Sequence, residues 1–343
     1  RHLEDLGSVN GTFVNGHRIF GRAAVTDGDL VTVGNTVYAT GSFTTATPAG
    51  GGAGPPRANL LAFDIRTGAL IPGFDHRLNG QGRIVVASPD GSRIYVGGDF
   101  TTVDGIARGH IAAFDVATGA LVPGFAPTTN QAVYSIAATG STVYAGGRFT
   151  SAGGQTRTRL AAFSASNGAL TSWAPTADNT VRGIVVDPTG TRVVVAGQFG
   201  RVNGVTAYSI ASVDTAGGDA KSQPWGINNT GDPAGAWSLK MYGGVAYASV
   251  YAYQIGNVEG VVAFGERIAG YAAYGRARDR TMRAEGEIDE LYIAPEFQGL
   301  GLGTRLFRAV RNDLIDRGLT RIGVWALADN PRACGFYASL GGV

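Results

Sequence analysis

One cysteine, Cys334, two lysines and four histidines are all that 343 residues hold of those types. A lone thiol excludes an intramolecular disulfide and any cysteine-based metal cluster. His2, His17, His76 and His110 are scattered and give no metal-ligand spacing. No apolar run reaches the ~20 residues that a membrane-spanning helix needs, so no membrane partner is expected. Excess charge is also lacking: 28 Lys and Arg stand against 26 Asp and Glu, a formal net charge of +2. That balance makes no basic footprint, so no nucleic acid is expected. The basic residues are Arg apart from Lys221 and Lys240, which reads as coding bias. The first residue is an Arg in mid-pattern, with no signal peptide, and the expectation is a cut piece of a longer chain.

Glycine is abundant, 54 residues, well above the usual ~7%. With many Thr and Val residues, it points to short strands and tight turns. A unit of about fifty residues recurs through the middle of the chain. One copy has Val143-Tyr144-Ala145-Gly146-Gly147-Arg148-Phe149-Thr150, then Leu160-Ala161-Ala162-Phe163, Asn167-Gly168-Ala169-Leu170 and Trp173. Others start at Val37, Ile94 and Val193, and part of a fifth ends near Ala248 to Tyr253. Each unit holds about four strand-like segments, which fits one blade of a β-propeller. Phe43, Phe100, Phe149 and Phe199 recur once per unit and are expected in the core. Asp64, Asp115 and Asp214 could bind a cation, but the Thr-Gly or Asn-Gly that follows favours a side-chain-stabilised turn.

Residues 35–260 carry 26 charged side chains in 226 positions, and residues 261–343 carry 21 in 83. That shift places a domain boundary near Gly260. A second lies near Gly34. Before it, Asn10-Gly11, Asn15-Gly16 and Asp27-Gly28 mark turns between short strands. After Gly260 the period lengthens. Val261–Phe264 and Ile268–Tyr274 read as a hairpin and Glu287–Ile293 as a strand. Thr304–Arg317 reads as an amphipathic helix burying Leu302, Leu306, Phe307, Val310 and Leu314. Arg321–Leu327 reads as a strand. Asn330 and Pro331 open a short helix to Leu340.

Three stretches resemble known families. Asp5-Leu6-Gly7-Ser8-Val9-Asn10-Gly11-Thr12-Phe13-Val14-Asn15-Gly16, with Asp27-Gly28-Asp29-Leu30, resembles the C-terminal third of a forkhead-associated (FHA) domain, a phosphothreonine-peptide reader. The family's phosphate-holding Arg and Ser lie upstream of this stretch, so a structural hairpin without phosphopeptide affinity is expected. Residues 35–260 resemble the propeller-like repeats of large bacterial surface proteins, which implies a protein partner. Residues 261–343 resemble the GNAT N-acetyltransferases through Leu291-Tyr292-Ile293-Ala294-Pro295, Gln298-x-x-Gly301-x-Gly303 and Asn330-x-x-Ala333-x-x-Phe336-Tyr337.

A strand, a glycine-rich turn and a helix place backbone N–H groups at a helix N-terminus, where an anion such as a pyrophosphate is favoured. The GNAT resemblance implies acetyl-CoA as cofactor and an amine as acceptor. It implies that Tyr292 and Ile293 offer backbone to the pantetheine arm. Gln298, Gly299, Gly301, Gly303 and Thr304 hold the pyrophosphate, and Asn330 contacts the CoA arm. Tyr337 is the implied general acid, and Glu290 or Glu287 the implied base.

The fold expected is mostly β: a partial β-propeller of four to five blade-like repeats, then an α/β GNAT-like fragment. The domains expected are 1–34, 35–260 and 261–343, in a mosaic chain. The family's first strand and two helices should precede Val261, where repeat sequence stands. The function expected is therefore acetyl-CoA binding with residual or no acetyl transfer. The alternatives are a non-catalytic interaction protein and, last, a phosphothreonine reader. The GNAT and FHA resemblances imply the cytoplasm, and the repeats the cell surface.

Overall fold

The computed structural model describes residues 2–4, 12–14, 17–19, 22–24, 29–46, 55–217, 220–221, 235–242, 245–251, 260–264, 268–278, 283–293, 295, 298, 302–316, 318–326 and 330–341. The chain divides into two compact units, Arg1–Ser222 and Gln223–Val343.

In the first unit, one sheet design recurs. Gly82–Ala87, Arg93–Gly98 and Ile111–Asp115 pair antiparallel. So do Val133–Ala138, Thr142–Gly147 and Leu160–Ser164. The third set is Val181–Val186, Arg192–Gly197 and Ile210–Asp214, with Ala220–Lys221 added at its edge. The first strands of successive sheets pack beside one another. Middle strands are buried at every position after the first, because a neighbouring sheet covers them. One apolar cluster joins Ile84, Tyr95 and Ile111 of one sheet to Val133, Val143 and Phe163 of the next.

Side-chain size is matched across these contacts. A Cβ on Gly97 would lie 2.8 Å from a methyl of Val133, and one on Gly146 would lie 2.5 Å from a methyl of Val181. At the preceding contact the sizes are reversed. Thr40 takes the place of the glycine, and Gly82 takes the place of the valine. A Cβ on Gly82 would lie 1.6 Å from the Thr40 hydroxyl.

The sheet holding Thr40 has Asp29–Val33 as its first strand, paired with Thr36–Thr40, which pairs with Leu60–Asp64. The FHA-like stretch thus supplies a strand to the repeat, and Gly34, at φ 59°, makes the turn between them. Before it, Thr12–Val14 pairs with His17–Ile19, and His2–Glu4 with Arg22–Ala24. Asn10 and the turn residues Asn15 and Gly16 lie outside the described residues.

Phe100, Phe149 and Phe199 are buried as expected, whereas Phe43 is half-buried. A second aromatic pair also recurs: Tyr38–Phe74, Tyr95–Phe125 and Tyr144–Trp173 meet with ring centroids 5.1, 5.2 and 5.1 Å apart. Asp64 accepts the N–H groups of Arg66 and Thr67, and Asp115 that of Thr118. Those donors hold both carboxyls below their ordinary pKa. Among the described residues, no group of three or more His, Cys, Asp or Glu could hold a metal ion.

The second unit is a six-stranded sheet in chain order: Gly235–Tyr242, Val245–Tyr251, Gly260–Phe264, Ile268–Arg276, Gly286–Ile293 and Ile322–Val324. Val250 pairs with Gly260, so the ladder runs through the boundary expected there. Repeat-like sequence and GNAT-like sequence share one sheet. The last pair is parallel, joined through helix α1 (Leu302–Asp316). Leu306, Val310 and Leu314 are fully buried against Ala272, Tyr274 and Ile288. Gly318, at φ 78°, ends the helix, and the Leu319 N–H bonds to the Leu314 carbonyl.

Glu285 pins the parallel strand. Its carboxylate accepts from the N–H of Thr320 (2.8 Å), the Thr320 hydroxyl (3.0 Å) and the N–H of Arg321 (3.2 Å). The Arg321 and Thr320 N–H groups lead in lowering its pKa to about 2. A depressed carboxyl stabilises fully above its unfolded value and loses that contribution as pH falls through the folded one. Protection of the Ile322–Val324 amides from hydrogen exchange is therefore expected to drop between pH ~4.5 and ~2. In Glu285→Gln it should be low and flat across that range.

Candidate functional site

Helix α2 (Pro331–Ser339) opens with Asn330 as N-cap, its Oδ1 accepting from the Ala333 N–H at 3.0 Å. Pro331 at the first position has no N–H to lose. Helix α1 opens at Leu302, so Gly303 and Thr304 lie in its first turn. There the N–H groups have no partner within the helix. Both N-termini border one cavity of about 590 Å³, within the usual range for small-molecule sites. Gly303 and Thr304 line it from α1, Asn330 from the N-cap of α2, and Arg332, Ala333, Phe336 and Tyr337 from along α2. Leu291, Ile293 and Gln298 complete the wall.

The end of the Gly286–Ile293 strand is braced. Gln298 Nε2 donates to the Ile293 carbonyl at 3.0 Å, and the Gln298 N–H bonds to the Pro295 carbonyl. A bulge interrupts the alternation of this strand, where its pairing with Ile268–Arg276 shifts between Ala273 and Tyr274. Ile288 therefore joins Leu291 and Ile293 in the apolar cluster beneath α1. Glu290 and Tyr292 are exposed and away from the cavity wall. Tyr271 donates its hydroxyl to Glu290 Oε1 at 2.6 Å and stacks near Tyr292, with centroids 5.5 Å apart. Burial, and then Glu290, push the Tyr271 phenol up to about 12. Glu287 is buried and accepts the Arg278 N–H at 2.9 Å.

Of the residues expected to form the site, Ile293, Gln298, Gly303, Thr304, Asn330 and Tyr337 meet at the cavity. Glu290 and Tyr292 do not, and Gly299 and Gly301 lie outside the described residues. Tyr337 is half-buried and packs edge-on to Phe336, 5.1 Å between centroids. Burial raises its pKa. Arg332 was not singled out in the sequence. Its signal was its place beside the N-cap Asn330, one helical turn before Phe336.

A parallel-edged sheet whose crossover helix and next helix aim their N-termini at one cavity is an α/β site suited to an anionic ligand. The model of the acetyltransferase (GNAT) family matches residues 247–341, and the model of the FHA domain matches residues 2–34. Two stretches at opposite ends of the chain are thus similar to these families. The first match begins within Val245–Tyr251 and takes in the cavity. No curated protein matches the chain.

Proposed function

We propose that the second unit binds acetyl-CoA at this cavity and has residual or no N-acetyltransferase activity. The observation that carries the reading is the convergence of two helix N-termini and one braced strand end on a single cavity. The residues fit the cofactor's chemistry. First-turn N–H groups and the Arg332 guanidinium suit a pyrophosphate, and Leu291, Ile293 and Phe336 suit the pantetheine arm. Acetyl-CoA supplies a thioester-activated acetyl group when bound.

The chain's own groups have separate tasks. Gln298, Gly303 and Thr304 hold the pyrophosphate, together with Gly299 and Gly301. The backbone of Tyr292 and Ile293 aligns the arm. Asn330 spends its Oδ1 on the cap, so its Nδ2 is the group left to donate. The Tyr337 hydroxyl keeps its proton at neutral pH, which suits a general acid facing a leaving thiolate. Glu290 is engaged by Tyr271 and Glu287 by the backbone of Arg278, so neither carboxylate stands ready to take a proton from an amine. That supports weak transfer or none.

The repeated sheets support a second reading of the first unit, as blades of a β-propeller that serves as a scaffold or binds a protein partner. Within it, the FHA-like segment serves as structure.

Calorimetry of the whole chain with acetyl-CoA tests the proposal. One saturable site is expected, with turnover on a panel of amines below ~1 s⁻¹. The absence of saturable heat would sink the cofactor reading.

A further inference from the structure

Three sheets of the first unit share one irregularity. Pairing of the first strand with the middle strand shifts between Gly82 and Ile84, between Val133 and Ser135, and between Val181 and Gly183. The residues skipped are Arg83, Tyr134 and Arg182. A bulge re-aims the side chain it skips, and bulges gather beside functional sites. Each re-aimed side chain meets the residue that follows the middle strand of its own sheet. Arg83 Nε donates to Asp99 Oδ2 at 2.7 Å. Arg148 lies close enough to Tyr134 for that side chain to raise the arginine's pKa. Arg182 donates from Nε and Nη2 to Gln198 Oε1 at 3.2 and 3.1 Å.

The three pairs also meet one another. The Arg83 guanidinium lies 4.8 Å from the centre of the Tyr134 ring, and that of Arg182 lies 5.4 Å from it. Three consecutive sheets thus bring three guanidinium groups to one phenol, with Asp99 as the carboxylate among the six side chains. Asp99 is replaced by Arg148 in the next sheet and by Gln198 in the one after. The side chains of Arg83 and Asp99 are each 34% exposed, and Arg148 is exposed, so solvent reaches the cluster.

Holding like charges together is costly unless something favourable offsets it. Burial lowers the pKa of Arg182, Tyr134 raises it in part, and the neighbouring Arg83 and Arg148 charges lower it. A structural contact between sheets needs no third arginine. Local arrangements that work against stability tend to mark function.

We propose that Arg83, Arg148 and Arg182, arranged around Tyr134, form a binding site for a small-molecule dianion. Guanidinium groups present paired N–H donors that match carboxylate and phosphate oxygens. The Tyr134 ring fixes the planes of two of them. Asp99 orients Arg83, and Gln198 orients Arg182 at no cost in net charge. The site belongs to the repeat unit and is independent of the cavity between α1 and α2.

Calorimetry of the whole chain at low salt tests this, with inorganic phosphate in one arm and succinate in the other. Saturable binding is expected in at least one arm, and the arm that binds names the ligand chemistry. Arg148→Gln, at an exposed position, should weaken it about tenfold without lowering the melting temperature. Arg182→Gln should weaken it likewise. Arg332→Gln, at the other cavity, should leave it unchanged. Equal weak heats in the parent chain and Arg148→Gln would overturn the proposal. So would anion binding that Arg332→Gln removes. If Arg182→Gln lowers stability and the parent chain binds neither anion, the cluster only staples the sheets together.

Discussion

Gly82→Val is expected to destabilise the first unit by about 3 kcal/mol or more, the upper range for overpacking a core. The position tolerates no Cβ. It would sit 1.6 Å from the Thr40 hydroxyl, 2.9 Å from Thr40 Cβ and 3.1 Å from the Asn59 carbonyl. Thr40 cannot easily turn away. It is buried, and its hydroxyl donates to the Asn59 carbonyl at 2.7 Å. The other contacts between sheets supply the remedy. There a glycine on the middle strand faces a valine on the next first strand, as Gly97 faces Val133. Thr40→Gly added to Gly82→Val recreates that pair. The Asn59 carbonyl keeps the Gly41 N–H as a donor. The double variant should recover more than half of the loss, which is a coupling that two independent sites would not show. Urea unfolding of all four chains measures it. Additive losses would mean that the two residues are not the complementary pair described.

Gly303→Glu is expected to weaken acetyl-CoA binding about a hundredfold, close to 3 kcal/mol. Two effects act in one direction. A carboxylate in the first turn of α1 takes for itself the helix-end field that would otherwise favour a bound pyrophosphate. The longer side chain must also displace Phe336, whose ring edge lies 3.4 Å from the ideal Cβ. Gly303→Ala separates the two effects. It adds only a near-contact, and its affinity should stay within about threefold. Tyr337→Phe should bind as the parent does, because the hydroxyl is assigned to proton delivery. Any transfer activity should fall by about a hundredfold or more in that variant. Equal binding by Gly303→Glu and the parent would move the cofactor away from α1.

The helices and the cavity were readable because their signals are local. Asn330 with Pro331, Gly318 and the apolar face from Leu302 to Leu314 fix where each helix starts, stops and faces. The glycine-rich turn then sets the place for a ligand. Strand pairing was much less readable. Charge density placed a boundary at Gly260, but density reports what the surface shows to water. The ladder from Val250 to Gly260 is made of backbone bonds that any composition can form. Asp29–Val33 hid its role for a related reason: the recurring signature lies in the middle and third strands, and the first strands vary. Glu290 and Tyr292 keep period 2 and share the face opposite Leu291 and Ile293. The bulge near Asp289 resets the faces before it, so Ile288 joins Leu291 and Ile293 on one side.

The Gly286–Ile293 strand pairs antiparallel on one flank and parallel on the other. The two flanks cannot form at the same speed. Ile268–Arg276 lies just upstream, so the antiparallel flank closes a short loop. The parallel flank must wait for α1 to form and dock, because its partner strand lies beyond the whole helix. Refolding of the second unit should therefore end with a step in which Ile322–Val324 arrives. Leu314→Ala removes α1 packing needed before that arrival, and it should slow the last phase more than the first. The cavity is walled by residues on both sides of this late junction, so it exists only after the chain has finished folding.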